Sequence, residues 1–197
     1  MAKAAETKLT IIRQAADVFN QQGYAGSSMA DIMQATGLKK GGIYNHFASK
    51  DELAIAAFEF AVHQVSRRYI QVLKDHRGAI ARLKAVVHTF VTNLDDPPIQ
   101  GGCPLLNTAI ESDDTHPVLR QRAQAAMDDW RKLIGRIVEK GVAAGDLPPE
   151  IQADGVATLL IATLEGALML TQLYGDRIHL QRVQAHLNDY IDQLQRS

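Results

Sequence analysis

Apolar residues in this 197-residue chain recur at three- and four-residue spacings almost from end to end. Nowhere do they alternate with the period of two that a half-buried strand requires. That pattern restricts the chain to an all-α fold. The first run, Leu9, Ile12, Ala16 and Phe19, stops at Gly23, a residue suited to a helix C-terminus. Ser28-Met-Ala-Asp31 has the form of a capping box and opens a second, short helix through Ala35. Thr36-Gly37-Leu38 reads as a tight turn, and a third short helix follows over about 39–46. Ser49-Lys-Asp-Glu52 is a second capping box and starts a long helix to about Lys74. Further helices are predicted over about 78–94, 104–111, 116–144, 150–173 and 177–195, about nine in all. Their breaks fall at 95–98, 113–114, 145–149 and 175–176.

Charge is unevenly distributed along this frame. The whole chain carries a net −1. Its first fifty residues hold Lys3, Lys8, Arg13, Lys39, Lys40 and Lys50 against Glu6, Asp17 and Asp31, a net +3. A basic head on an acidic body suits contact with nucleic acid at one end only. The single cysteine, Cys103, excludes an intramolecular disulfide framework. The segment MAKAAETKL lacks the apolar core of a signal peptide. The most apolar stretch, 156–170, is interrupted by Thr158, Thr163 and Glu165 and reads as too short and too polar to span a bilayer. A soluble, cytoplasmic protein without a membrane partner is expected. His63, His76, His88, His116, His179 and His186 are scattered without a His-x-x-x-His spacing, so no metal site, cofactor or catalytic constellation is predicted.

Helix, short helix, three-residue turn, short helix is the order of a helix-turn-helix, whose second short helix enters the major groove of DNA. The stretch Met29-Ala-Asp-Ile-Met-Gln-Ala-Thr-Gly-Leu-Lys-Lys-Gly-Gly-Ile-Tyr-Asn-His-Phe-Ala-Ser-Lys-Asp-Glu-Leu53 resembles the DNA-binding signature of the TetR family. The match covers about residues 8–55 and includes Ile32, Ala35, Gly37, Gly41, Tyr44, Phe47, Ser49 and Lys50 at fixed spacing. The resemblance implies a helix-turn-helix domain over 1–48 and a ligand-binding and dimerisation domain over 49–197. It also implies a transcription regulator, in the first instance a repressor, that binds a double-stranded operator and is released by a small apolar or electrophilic effector. Lys40, Tyr44, His46 and Lys50 would meet phosphates, and Ser28 would cap its helix and donate to phosphate as well. Lys39, Gly41, Gly42 and Asn45 would lie nearest the base edges. Two glycines inside a helix cost about 1 kcal/mol each against alanine, and close approach of backbone to DNA is one reason to keep them. The family often has Ser or Thr where Gly42 stands, so one hydroxyl contact is missing here.

An effector site would be mostly apolar with a few polar groups. His88, Thr92, Cys103, Asn107, Glu111, Met127, Trp130, Glu165 and Met169 are the candidates. The segment Gly101-Gly102-Cys103-Pro104-Leu-Leu-Asn107 resembles a Gly-Cys pattern in a subgroup of TetR-type regulators, some of which sense electrophiles. A thiol at a helix N-terminus gains thiolate character, although Pro104 removes one amide donor. In the last helix Val183, Leu187, Tyr190, Ile191 and Leu194 form a stripe. With the helix from Ile151 it is expected to build a four-helix homodimer interface. The alternatives are a helical enzyme, or a structural dimer, with an incidentally basic head.

Overall fold

The computed structural model describes residues 2–113 and 116–195; Asp114, part of one predicted break, lies outside them. Nine helices and no strands are found among the described residues. In order they are α1 (Ala2–Gln22), α2 (Met29–Thr36), α3 (Lys40–Tyr44), α4 (Lys50–Leu73), α5 (Ala79–Thr92), α6 (Pro104–Ser112), α7 (Pro117–Ala144), α8 (Ala153–Tyr174) and α9 (Ile178–Gln193). The chain folds into two compact units. The first holds residues 1–66 and 98–126, and the second holds 67–97 and 127–197. Helices α4 and α7 each run from one unit into the other.

The first unit is built on α1. Ile11, Ala15 and Ala16 are buried on one face and meet Ile32 of α2, Ile43 of α3, Phe47, and Leu53, Ala57 and Ala61 of α4. Two helices of eight and five residues are too short to be stable alone, so this shared core is what forms them. Ile99 belongs to the same core although it lies far along the chain. Gly23, with φ of +80°, ends α1, and Gly37, with φ of +68°, ends α2. The predicted capping box at Ser28 is present. Its hydroxyl accepts the Asp31 N–H and the Asp31 carboxylate accepts the Ser28 N–H at 2.7 Å. These bonds hold the Asp31 carboxyl below the usual carboxylate range, the Ser28 side chain contributing most. The box at Ser49 differs in its return arm. Ser49 accepts the Glu52 N–H, but Glu52 reaches one residue further back, to the Ala48 N–H at 2.7 Å.

In the second unit α9 packs on α5 and α8. Leu83, Val86, Leu160, Leu164, Leu180, Leu187 and Ile191 are fully buried. Of the predicted α9 stripe, Leu187, Ile191 and Leu194 are buried in the unit's own core, and Val183 and Tyr190 are half-exposed. Helix α8 is long and apolar enough to cross a membrane by length and composition alone, and half of its most apolar window is buried inside the protein. Its uncovered side carries Leu159 (40% exposed), Met169 (52%), Leu173 (71%) and Tyr174 (67%), with Gly166 between them facing open space. Trp130 stacks on Phe90 with ring planes 6° apart and lies beside Tyr69.

Candidate nucleic-acid interface

Helix α3 buries only Ile43. Lys39, Lys40, Gly41, Tyr44 and Asn45 are exposed, and Gly42 and His46 are half-buried. Neither glycine has a positive φ. A Cβ on Gly41 would meet nothing within 4 Å, and one on Gly42 would make ordinary contact with Leu38 at 3.6 Å. The fold itself therefore has no need of glycine at either position. Lys40 lies over the Tyr44 ring, 5.6 Å from its centroid, which directs a cation along the exposed face. Ser28 is exposed, as a phosphate contact requires, although its hydroxyl is already engaged with Asp31.

Lys8 adds a further exposed cation that the sequence reading did not place beside α3. It sits three residues before Ile11, hence on the same side of α1, and its ammonium lies 5.1 Å from the centroid of Phe47, just after α3. That spacing was the available signal. Lys50 departs from the expectation. Its ammonium donates to the carbonyls of Tyr24 and Ser27, the latter at 2.6 Å, and lies 4.3 Å from the Tyr24 centroid. It thus ties the α1–α2 loop to α4.

That loop is held from several sides. The Tyr24 hydroxyl donates to Asp51, and its ring meets the His116 ring edge-on at 5.0 Å. Burial, followed by the bond to Asp51, pushes the Tyr24 phenol up to about 12. The two carboxylate oxygens of Glu111 accept the N–H groups of Tyr24 and Ala25, each at 2.7 Å. Asn107 donates to Asn20 and to the Gly101 carbonyl at 2.9 Å, and Asn20 donates to the carbonyls of Gln100 and Gly102. Asn107 and Glu111, candidates for effector contact, are thus engaged with the end of α1 and the loop that follows it. The nine candidates are divided between the units. Cys103, half-buried as the N-cap of α6, joins Asn107 and Glu111 in the first. His88, Thr92, Met127, Trp130, Glu165 and Met169 are in the second. Glu165 is buried there, whereas His88 and Met169 are exposed, contrary to what lining an enclosed site requires.

An exposed, lysine-flanked short helix, seated on a capped partner helix across a glycine turn, defines a DNA-binding helix-turn-helix protein. Comparison with known proteins makes the class specific. Residues 11–57 match the N-terminal model described as bacterial regulatory proteins, tetR family, and residues 79–187 match the Tetracyclin repressor-like C-terminal domain. A TetR transcriptional regulator from Chloroflexus aurantiacus J-10-FL is 47% identical, with a TM-score of 0.94 over 98% of both chains. A TetR-family regulator from Cytophaga hutchinsonii is 34% identical, with a TM-score of 0.92 over 99% of this chain and 98% of that one. The HTH-type transcriptional repressor DhaR of Mycobacterium sp. strain GP1 is 25% identical over 168 residues, 85% of this chain and 83% of the relative. The chain belongs to the TetR family and is a ligand-responsive, DNA-binding transcription regulator.

Proposed function

We propose that the protein is a cytoplasmic homodimeric repressor whose two α3 helices enter successive major grooves of a pseudo-palindromic operator, about 34–36 Å apart. The observation that carries this reading is the bare face of α3. Gly41 and Gly42 answer no steric or conformational demand of the fold. A backbone stripped of side chains on an exposed, lysine-flanked helix suits close approach to DNA. Lys39 and Asn45 stand beside the glycines as base-edge candidates. Lys40, Tyr44, His46 and Ser28 are the phosphate candidates, and Lys8 joins them. Lys50 contributes by fixing the loop beneath. Dimerisation is assigned to the uncovered side of α8, since a contiguous apolar strip of Leu159, Met169, Leu173 and Tyr174 is costly to leave in water. Met169, 52% exposed, is accordingly assigned to the dimer face and not to the effector.

The effector is a small molecule, apolar or electrophilic in character. Trp130 is its best-supported contact. The indole Nε1 is buried without a hydrogen-bond partner among the described residues, and the ring is stacked on Phe90 with Tyr69 tilted beside it. A buried donor without an acceptor is costly, and a ligand oxygen would satisfy it. On this reading the chain converts nothing; it binds and releases. Gel-shift of genomic fragments, including the chain's own promoter region, at low salt tests the proposal. Wild-type chain should retard a small set of fragments, and Lys8→Ala and Lys40→Ala should each lower the salt slope of binding by about one. Retardation of no fragment would overturn it.

A further inference from the structure

The C-terminal end of α1 and the loop after it are seated on α6 through backbone groups. Tyr24 is the node. Its N–H is taken by Glu111 of α6, its carbonyl by Lys50 of α4 and its hydroxyl by Asp51 of α4. Its ring rests against His116, the residue before α7. Two glycines make room for the junction. A Cβ on Gly23 would lie 2.8 Å from a Glu111 carboxylate oxygen, and one on Gly101 would lie 2.7 Å from the Asn20 carbonyl. Both have positive φ, +80° and +103°. Here, unlike in α3, glycine is required by the fold. A cavity of about 30 Å³, lined in part by Phe19, Tyr24, Phe58, Thr108 and His116, adjoins the junction. It is far below the 300 Å³ or more of an effector site.

We infer that Glu111, supported by Asn107, is a positioning residue that sets the attitude of the helix-turn-helix from α6. A carboxylate gripping two consecutive N–H groups fixes direction as well as distance, because both bonds must stay aligned. Any displacement of α6 is passed to the loop that immediately precedes α2, in parallel with α4. The inference rests on the proposed DNA-binding role, and it assigns Glu111 and Asn107 to transmission and not to the effector.

The test uses the full-length chain with Glu111→Gln, which keeps shape but replaces one acceptor oxygen by a donor, and with Asn107→Ala. Duplexes selected with wild-type chain are compared in two forms, with both half-sites and with one. Glu111→Gln should bind the complete site about tenfold more weakly, change by less than twofold on the single half-site, and accept half-site spacings altered by one base pair. Asn107→Ala should do the same to a smaller extent. Amide hydrogen exchange without DNA gives an independent readout. Glu111→Gln should exchange at Tyr24 and Ala25 at least tenfold faster, with the rest of residues 2–47 unchanged. Wild-type behaviour in both assays would overturn the inference. Equal losses on full and half sites with faster exchange throughout the head would also overturn it, by showing a merely structural role. If wild-type chain binds no DNA, the functional proposal fails, while the exchange result still decides whether Glu111 fixes the loop.

Discussion

Helices α3 and α8 each keep a face that their own unit leaves uncovered, and the two faces are opposite in kind. On α3 the face is polar, short and stripped of side chains at Gly41 and Gly42. On α8 it is apolar and long, running from Leu159 to Tyr174. An exposed polar surface needs no cover, so its significance lies in what it lacks. An exposed apolar surface does, so its significance lies in what it presents. The difference teaches that the same question, what the unit's own packing leaves unexplained, points to DNA at one helix and to a protein partner at the other.

That comparison breaks most visibly at Leu173. Leu173→Glu should convert the dimer to monomer in sedimentation and lower operator affinity by about two to four orders of magnitude, through lost simultaneous engagement of both half-sites. Because Leu173 is 71% exposed, the melting temperature of the monomer's own fold should move little; a dimer that persists would remove α8 from the interface. Tyr44→Ala together with Lys40→Ala should weaken operator binding about a hundredfold with sedimentation unchanged, as expected when two contacts of about 1–1.5 kcal/mol each are lost. Full affinity in that variant would place the DNA contact elsewhere. The glycines sharpen the contrast within the first unit. Gly41→Ala should leave folding unchanged or stabilise it by up to about 1 kcal/mol while weakening DNA binding. Gly23→Ala, at positive φ and against Glu111, should destabilise by about 1–3 kcal/mol. Denaturant titration of both variants decides it, and identical stabilities would refute the distinction. The smallest effect is at Asp31. Its folded-state carboxyl titrates below its ordinary value, so its contribution is complete above about pH 3.9 and is lost as pH falls through the lowered value. Asp31→Asn should flatten that acid limb in melts between pH 5 and 2, and an unchanged limb would show that the cap has no such role.

The head was legible in the sequence because its signals are local. Ser28 and Asp31 are three residues apart, the turn glycine Gly37 follows directly, and the apolar spacing of α1 points at Ile11, Ala15 and Ala16. The site residues that were assigned differently have distant partners. Glu111 meets Tyr24 across 87 positions, Asn107 meets Asn20 across 87, and Lys50 meets Tyr24 across 26. No periodicity encodes such pairs, so a polar residue amid apolar ones looks the same whether it faces a ligand or a backbone amide. The α9 stripe is ambiguous for a related reason. Amphipathicity locates a buried face but does not say whether the cover comes from α5 and α8 or from a second chain.

The Glu111 grip bears on how far the head can be exchanged as a cassette. Ile99 belongs to the head's core, and residues 98–126 lie in its compact unit. A chimaera cut at residue 48 or 57 would pair this α1–α2 loop with a foreign α6 and orphan the Tyr24 and Ala25 amides. Grafting the head's operator preference onto another regulator therefore calls for two segments of this chain, the first sixty-odd residues and the stretch around α6, moved together.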